Sequence, residues 1–236
     1  NIKLKPQLQS GVRLYTYSQD KGDFRAENIK VGSGTIRFDF VTPDSVVKNI
    51  ELGVPVRINI ENGIGSMALA WLNGATDDEL RNGMRTFQGA KRRFDFMLKT
   101  DSLVMIDDYA HHPDELSASI SSVKELYPDK KVLGVFQPHL YSRTRDFADQ
   151  FARSLSLLDE LILLDIYPAR EKPIEGVTSQ IIFDKVTCKK TLCKKSELLD
   201  IIRNKKDIEV LLTVGAGDID QLLQPIKELL EERLNK

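Results

Sequence analysis

"SLVMIDDYAHHPDELSASISSVKELY", residues 102 to 127, decides how the rest of the chain is to be folded. The run Leu103, Val104, Met105, Ile106 is apolar on consecutive residues, turns polar at Asp107 and Asp108, and leads through two adjacent histidines into an amphipathic segment. A strand without polar alternation is covered on both faces, and a helix that follows at once crosses back over the sheet. Pro113 with Asp114 and Glu115 suits a helix N-terminus, where the missing N–H of proline costs nothing and acids meet the positive dipole end. The stretch therefore reads as one strand–loop–helix unit of a parallel sheet.

The unit recurs downstream. Strands are expected at 102–109, 131–138, 160–167 and 209–216, with helices at 113–127, 144–158, 196–204 and 219–235. That alternation predicts a doubly wound α/β domain with helices on both faces. Upstream the pattern changes to β-rich segments at 12–18, 24–31 and 35–43, separated by turn residues, which suggest a β-meander. An apolar helix, "GIGSMALAWLNG", ends at Gly74, and Thr76 with Glu79 forms a capping box for a second helix towards Phe87. The glycine and basic cluster of "QGAKRRFDF" (88–96) breaks this pattern, so the expected domains are 1–90 and 91–236.

A hydrophobic fraction of 41%, a charged fraction of 29% and a net charge of -1 describe a globular chain with no electrostatic case for nucleic acid. No apolar run is long enough to span a bilayer and no signal-peptide core opens the chain, so no membrane partner and a cytoplasmic location are expected. Cys188 and Cys193 are too few for a disulfide framework and lack zinc-site spacing. The chain opens at Asn1 on what reads as mid-domain material, and a fragment of a longer protein is expected.

In an open parallel sheet, ligands gather at the carboxyl ends of the strands. Here those ends read "DDYAHHPDE", "QPHLYSRTRD", "DIYPARE" and "GAGDID", which puts His111, His112, His139, Arg143, Arg145, Arg170, Tyr109, Tyr141 and Tyr167 on one rim. Turns at the other end, such as "YPDKK", are plain Lys and Asp mixtures. Each element has a plainer reading. The His111–His112 pair can cap a helix, the Arg143-x-Arg145 run can be a solvated face, and "VGAGDI" lacks full G-x-G-x-x-G spacing and can be a tight turn. Arg143 stands between a strand end and a helix start, where backbone N–H groups also favour anions. Lys91, Arg92 and Arg93 are linker charge or stand at the mouth of a phosphate-binding cleft. Asn59 and Asn62 flank the start of the apolar helix, as caps or as contacts to a base. Adjacent His111 and His112 point apart, so no metal site is expected, and no Ser-His-Asp nucleophile elbow occurs.

Taken together and in order, "FQGAKRRFDF", "DDYAHHPDEL", "VFQPHLYSRTRDF", "DIYPARE" and "VGAGDI" resemble the C-terminal half of the Mur ligases. The likeness is greatest to the branch that joins L-alanine to UDP-N-acetylmuramate in peptidoglycan synthesis. It implies a Rossmann-like C-terminal domain preceded by the end of a central ATPase domain. ATP with Mg2+ would phosphorylate the substrate carboxylate, and the amino group of alanine would attack the acyl phosphate. Arg and Lys clamps on the transferring phosphoryl group suit such chemistry. Carried over by position, Asn59 and Asn62 would meet adenine and Arg93 the nucleotide phosphates, while Tyr109 and Asp114 would line the nucleotide cleft. His111 and Arg143 would be catalytic, facing the muramyl substrate or the incoming amino acid, with His112, His139 and Arg145 binding substrate.

Two positions depart from the family pattern: Ile58 replaces a common histidine and Leu140 a common arginine. The phosphate loop G-x-x-G-K-[ST] occurs nowhere in the chain, so the chain alone is expected to be inactive, the missing N-terminal and central portions being its partners. The alternatives are a murein tripeptide ligase of the same family and a noncatalytic module that binds a nucleotide or sugar phosphate.

Overall fold

A computed structural model describes residues 8–235. Asn1 to Gln7, on which the reading of an abrupt start rests, lie outside the described residues. The chain divides into two units, 1–87 and 88–236.

In the first unit β1 (Arg25–Gly32), β2 (Thr35–Val41) and β3 (Val46–Glu51) form an antiparallel meander, followed by α1 (Ile58–Leu72) and α2 (Asp77–Thr86). Ser33 and Gly34, at φ 50° and 69°, make the two-residue turn between the paired Gly32 and Thr35; its positive φ pair matches the twist of a hairpin. β2 alternates as a half-buried strand should, with Ile36, Phe38 and Phe40 inward and Arg37 paired to Glu51 across the sheet. Phe24 stacks on Phe40 and meets Trp71 of α1 edge-on, which ties the helix to the sheet. The expected capping box is present: Thr76 Oγ1 accepts from Glu79 N at 3.3 Å, and Thr76 N donates to Glu79 Oε2 at 2.8 Å.

Two expectations for this unit fail. Residues 12–18 form no strand, Tyr17 alone making isolated bridges to Gly22 and Phe24. The third strand is instead Val46–Glu51, whose alternation is hidden by a bulge at Asn49 (φ 59°). Likewise α1 begins at Ile58, ahead of the expected apolar stretch, because Ile60 and Ile64 already continue its buried stripe.

The second unit runs β4 (Asp95–Lys99), β5 (Val104–Asp108), α3 (Pro113–Leu126), β6 (Val132–Phe136), α4 (Tyr141–Asp146), α5 (Ala148–Leu155), β7 (Glu160–Leu164), α6 (Gln180–Phe183), β8 (Lys189–Cys193), α7 (Leu198–Asn204), β9 (Val210–Val214) and α8 (Leu223–Leu234). Among the described residues these strands form one sheet in the order β4-β5-β9-β6-β7-β8, antiparallel at β4–β5 and parallel elsewhere. It is the doubly wound, mostly parallel sheet expected. One face, with Met105, Val135, Ile162 and Leu211, packs under Leu198 and Ile202 of α7 and Ile226 and Leu230 of α8. On the other helical layer α3 packs against α5, and Phe136 meets Phe151 of α5 at 5.4 Å. Each such buried aliphatic side chain contributes about 1.5–3 kcal/mol. β9 enters between β5 and β6, so the loops after those three strands meet at one end of the sheet. The expected helix at 144–158 is two helices that start earlier, at Tyr141, and change direction at Phe147 (φ -117°). No helix of the described residues is long and apolar enough to cross a membrane.

Candidate functional site

At the carboxyl ends of β5, β6 and β7 the rings form a chain. The Arg92 guanidinium lies 5.2 Å over Tyr109, Tyr109 meets His111 at 5.3 Å, His111 meets His139 at 6.1 Å, and His139 stacks on Tyr167 at 5.8 Å. Backbone pairing beyond the strand ends holds the last link: Tyr167 N donates to Pro138 O at 2.8 Å and Leu140 N to Tyr167 O at 3.0 Å.

The adjacent histidines have separate tasks. Glu115 Oε2, one turn into α3, accepts from both backbone N–H groups, His111 at 2.9 Å and His112 at 3.0 Å. Burial opposes ionisation of Glu115, but these two bonds hold its carboxyl below the usual range. Helix capping is thus done by the backbone and Glu115, which leaves the His111 ring free to join the rim, its Nδ1 3.0 Å from Tyr109 O. The His112 ring turns to Phe147 at 5.0 Å, with Asp114 3.6 Å away, and does not join the chain of rings.

Next to His139 comes Arg143. His139 Nδ1 and Arg143 Nη1 are both buried and have no hydrogen-bond partner in the protein. Desolvation first, then the charges of Arg143 and His111, hold the His139 imidazole below its ordinary value, Glu171 pulling the other way. A buried donor left unmatched is costly, so Arg143 Nη1 calls for an acceptor, and its charge favours an anionic one; the His139 nitrogen donates or accepts according to its tautomer. The expected anion-friendly N–H groups at the start of α4 are a different matter. Ser142 N donates to Glu171 Oε2 at 2.9 Å, so a carboxylate of the protein itself holds that position. Arg145 is exposed and pairs with its neighbour Asp146 at 2.8 Å. Arg170 is exposed, as is Arg93, whose N donates to Ala90 O in the turn before β4.

Beneath the rim lies a network that motif reading missed. Asp107 is fully buried; Thr213 Oγ1 donates to its Oδ1 at 2.7 Å and Arg92 Nε to its Oδ2 at 3.1 Å, while Arg92 Nη2 donates to Gly215 O at 2.7 Å. Burial pushes the Asp107 carboxyl up, with Thr213 and Arg92 opposing. The sequence signal was there: an acid closing an apolar strand requires a cation, and "KRR" supplies one. Gln137 does similar work, donating to Asp218 Oδ1 at 2.8 Å and accepting from Ile219 N at 2.9 Å. The glycines of "VGAGDI" are explained by this closeness, since a Cβ at Gly217 would lie 2.4 Å from Gln137 Oε1 and 2.7 Å from Tyr167 Cβ.

In the first unit, Asn59 and Asn62 stand inside the first turns of α1. Neither caps it: the N-cap residue is Arg57, Asn59 Nδ2 donates to Val54 O at 3.0 Å, and Asn62 Nδ2 to Asn59 Oδ1 at 3.3 Å. Both line a pocket of about 260 Å³ walled by Leu52, Val54, Met84 and Phe87. Apolar walls with a few fixed polar groups are what a flat heteroaromatic ligand takes.

Fold and rim define a doubly wound α/β domain with histidine, tyrosine and arginine side chains gathered at the carboxyl ends of its strands. The chain belongs to the Mur ligase family: residues 92–218 match the family model "Mur ligase, glutamate ligase domain". It is 62% identical, over its whole length, to the UDP-N-acetylmuramate–L-alanine ligase of Parabacteroides distasonis and 58% identical, over 98% of its length, to that of Phocaeicola vulgatus. The chain spans about half the length of these curated relatives, 51% of each. Among solved structures it is similar to the UDP-N-acetylmuramate-alanine ligase of Thermotoga maritima, with a TM-score of 0.70 at 24% identity, over 91% of this chain and 47% of that one.

Proposed function

We propose that this chain forms the C-terminal half of an ATP-dependent amide ligase that joins L-alanine to UDP-N-acetylmuramate in peptidoglycan synthesis. The observation that carries the reading is the pair of buried, unpartnered nitrogens, His139 Nδ1 and Arg143 Nη1, on the rim shared by Tyr109 and His111. The relatives that match the chain over its whole length support the choice of substrates.

In this reading ATP supplies the phosphoryl group that turns the substrate carboxylate into an acyl phosphate. Arg143 holds the carboxylate of the muramyl substrate or of the incoming amino acid, and its fixed charge is already in place as negative charge develops on the tetrahedral intermediate. His139, kept neutral, accepts or donates one hydrogen bond without adding charge, and His111 closes the site from the β5 side. Tyr109 presents a half-exposed ring and Asp114 an exposed carboxylate to the nucleotide cleft, and Arg93 reaches the phosphates. The Asn59–Asn62 pocket fits a nucleobase, its apolar walls stacking the ring and Asn62 completing the edge contacts. His112 and Arg145, turned to Phe147 and Asp146, have the weakest structural support as substrate ligands. Among the described residues no group of three or more His, Cys, Asp or Glu is placed to hold a metal ion. The reading places the enzyme in the cytoplasm, where ATP is.

Two measurements test it. With no phosphate loop in its sequence, the chain alone is expected to show no ATP hydrolysis dependent on alanine and UDP-N-acetylmuramate; detectable turnover overturns the division of labour. In the full-length ligase carrying this sequence, Arg143→Ala is expected to lower kcat/KM by roughly 10²–10³-fold, the scale of losing an oriented charge-stabilising donor. An unchanged kcat/KM overturns the site.

A further inference from the structure

We propose that Glu171 is the positioning residue of the anion site: it clamps the first turn of α4 from the β7 side and so fixes where Arg143 delivers its guanidinium. The inference rests on the reading of Arg143 given above. Three observations carry it. First, the N-cap of α4 is Leu140, which has no side-chain acceptor to offer and sits at φ 72°, where residues with a Cβ are strained. Second, Glu171 supplies the missing acceptors from another loop: Oε2 takes the Ser142 N–H at 2.9 Å and Oε1 the Ser142 hydroxyl at 2.5 Å. Third, the clamp closes a short circuit of bonds. Beyond β6 and β7, Leu140 N donates to Tyr167 O and Tyr167 N to Pro138 O, Glu171 N donates to Pro168 O at 2.9 Å, and Arg143 follows Ser142 directly.

A helix of six residues has too few internal bonds to hold its own register. Without the carboxylate, the Ser142 N–H is left to water, and relaxation of Leu140 towards negative φ is opposed only by the Leu140 N–H bond to Tyr167 O at 3.0 Å and by the Thr144 N–H and hydroxyl bonds to Leu140 O at 3.1 and 2.8 Å. That relaxation rotates the turn carrying Arg143 away from His139. Glu171 also offsets the cationic surroundings of His139, which faces Arg143 and His111. Its Ser142 hydroxyl bond, then the backbone bonds, hold the Glu171 carboxyl below its ordinary value, so the clamp is in place at neutral pH.

The test compares Glu171→Ala, Glu171→Gln and Ser142→Ala with Arg143→Ala in the full-length ligase carrying this sequence. Glu171→Ala is expected to raise KM roughly 10- to 100-fold for the same substrate that Arg143→Ala affects, the scale of a misplacement of about 1 Å, with KM for ATP unchanged. Glu171→Gln, which keeps one acceptor, and Ser142→Ala, which keeps the backbone bond, should fall between wild type and Glu171→Ala. On an Arg143→Ala background Glu171→Ala should add nothing. In the 236-residue chain, an NMR titration should find the His139 midpoint lower in Glu171→Gln than in wild type, a direction that loss of structure alone does not dictate. An unchanged KM in Glu171→Ala, or a full additive loss beside Arg143→Ala, overturns the positioning role while leaving the anion site standing. If Arg143→Ala itself has no effect, the site reading falls and this inference with it.

Discussion

Asp107 is wholly buried at the end of β5, and the cation that faces it, Arg92, also bonds Gly215 O and lies over Tyr109. Removing one partner of such a pair strands the other charge. Arg92→Met is expected to destabilise the chain by about 3 kcal/mol, the low end for buried pairs, because 20% of the Arg92 side chain remains exposed. The urea midpoint measures this, with Lys91→Met, an exposed neighbour, expected within about 0.5 kcal/mol of wild type. Equal effects of the two substitutions would show that Arg92 is linker charge after all. His139 makes a pH prediction. Its imidazole is held below the ordinary value of 6.5 by desolvation and then by Arg143 and His111, so the folded state prefers the neutral form. The stability this brings is complete above 6.5 and is lost as pH falls through the folded value. NMR of the ring protons is expected to give a midpoint below 6.5; a midpoint at or above it would show that the site is wet and uncrowded.

At the scale of elements, legibility in the sequence followed burial. β5, β6, β7 and β9 were readable because each is apolar on consecutive residues, which no exposed segment sustains. The edge strands were not. β8, "KKTLC", buries only Cys193, and β4 is half-buried up to an exposed Lys99, as strands with a single neighbour are. β3 was hidden by the bulge at Asn49, whose N–H donates to Asp39 Oδ1 at 3.0 Å while Asn28 holds the other oxygen at 2.9 Å. The rim was readable as a set, since strand ends share one edge, but not its division: nothing in "HH" says that His111 turns to His139 and His112 to Phe147. Nor does "PARE" announce a bond to Ser142, a pairing of residues far apart in the chain. Local signals did better. The Thr76–Glu79 box was legible because both partners lie within one turn, and Thr76→Ala is expected to cost about 1 kcal/mol. A double-mutant cycle with Glu79→Ala should be non-additive, since each residue bonds the other's backbone. Simple additivity in urea unfolding would show that the two ends act independently.

For the whole molecule, each of the two units closes a core on its own residues. The first gathers Phe24, Phe40 and Trp71 between meander and α1; the second surrounds a six-stranded sheet with helices on both faces. A unit of the second's length, with a sheet of this kind, buries enough surface to fold by itself. Residues 88–236 expressed alone are therefore expected to unfold cooperatively in urea. Trp71, the single tryptophan of the chain, reports on the first unit through its contact with Phe24. Far-UV circular dichroism reports on both units. In the whole chain the two probes should then give different transitions, and the circular dichroism curve should contain a component at the midpoint of the isolated 88–236 unit. Coincident transitions, with 88–236 unable to fold alone, would mean that the proposed anion site depends on the first unit for its very structure. The opposite result gives the site a minimal scaffold, in which the His139 titration and the Glu171 clamp can be measured away from the nucleotide half of the chemistry.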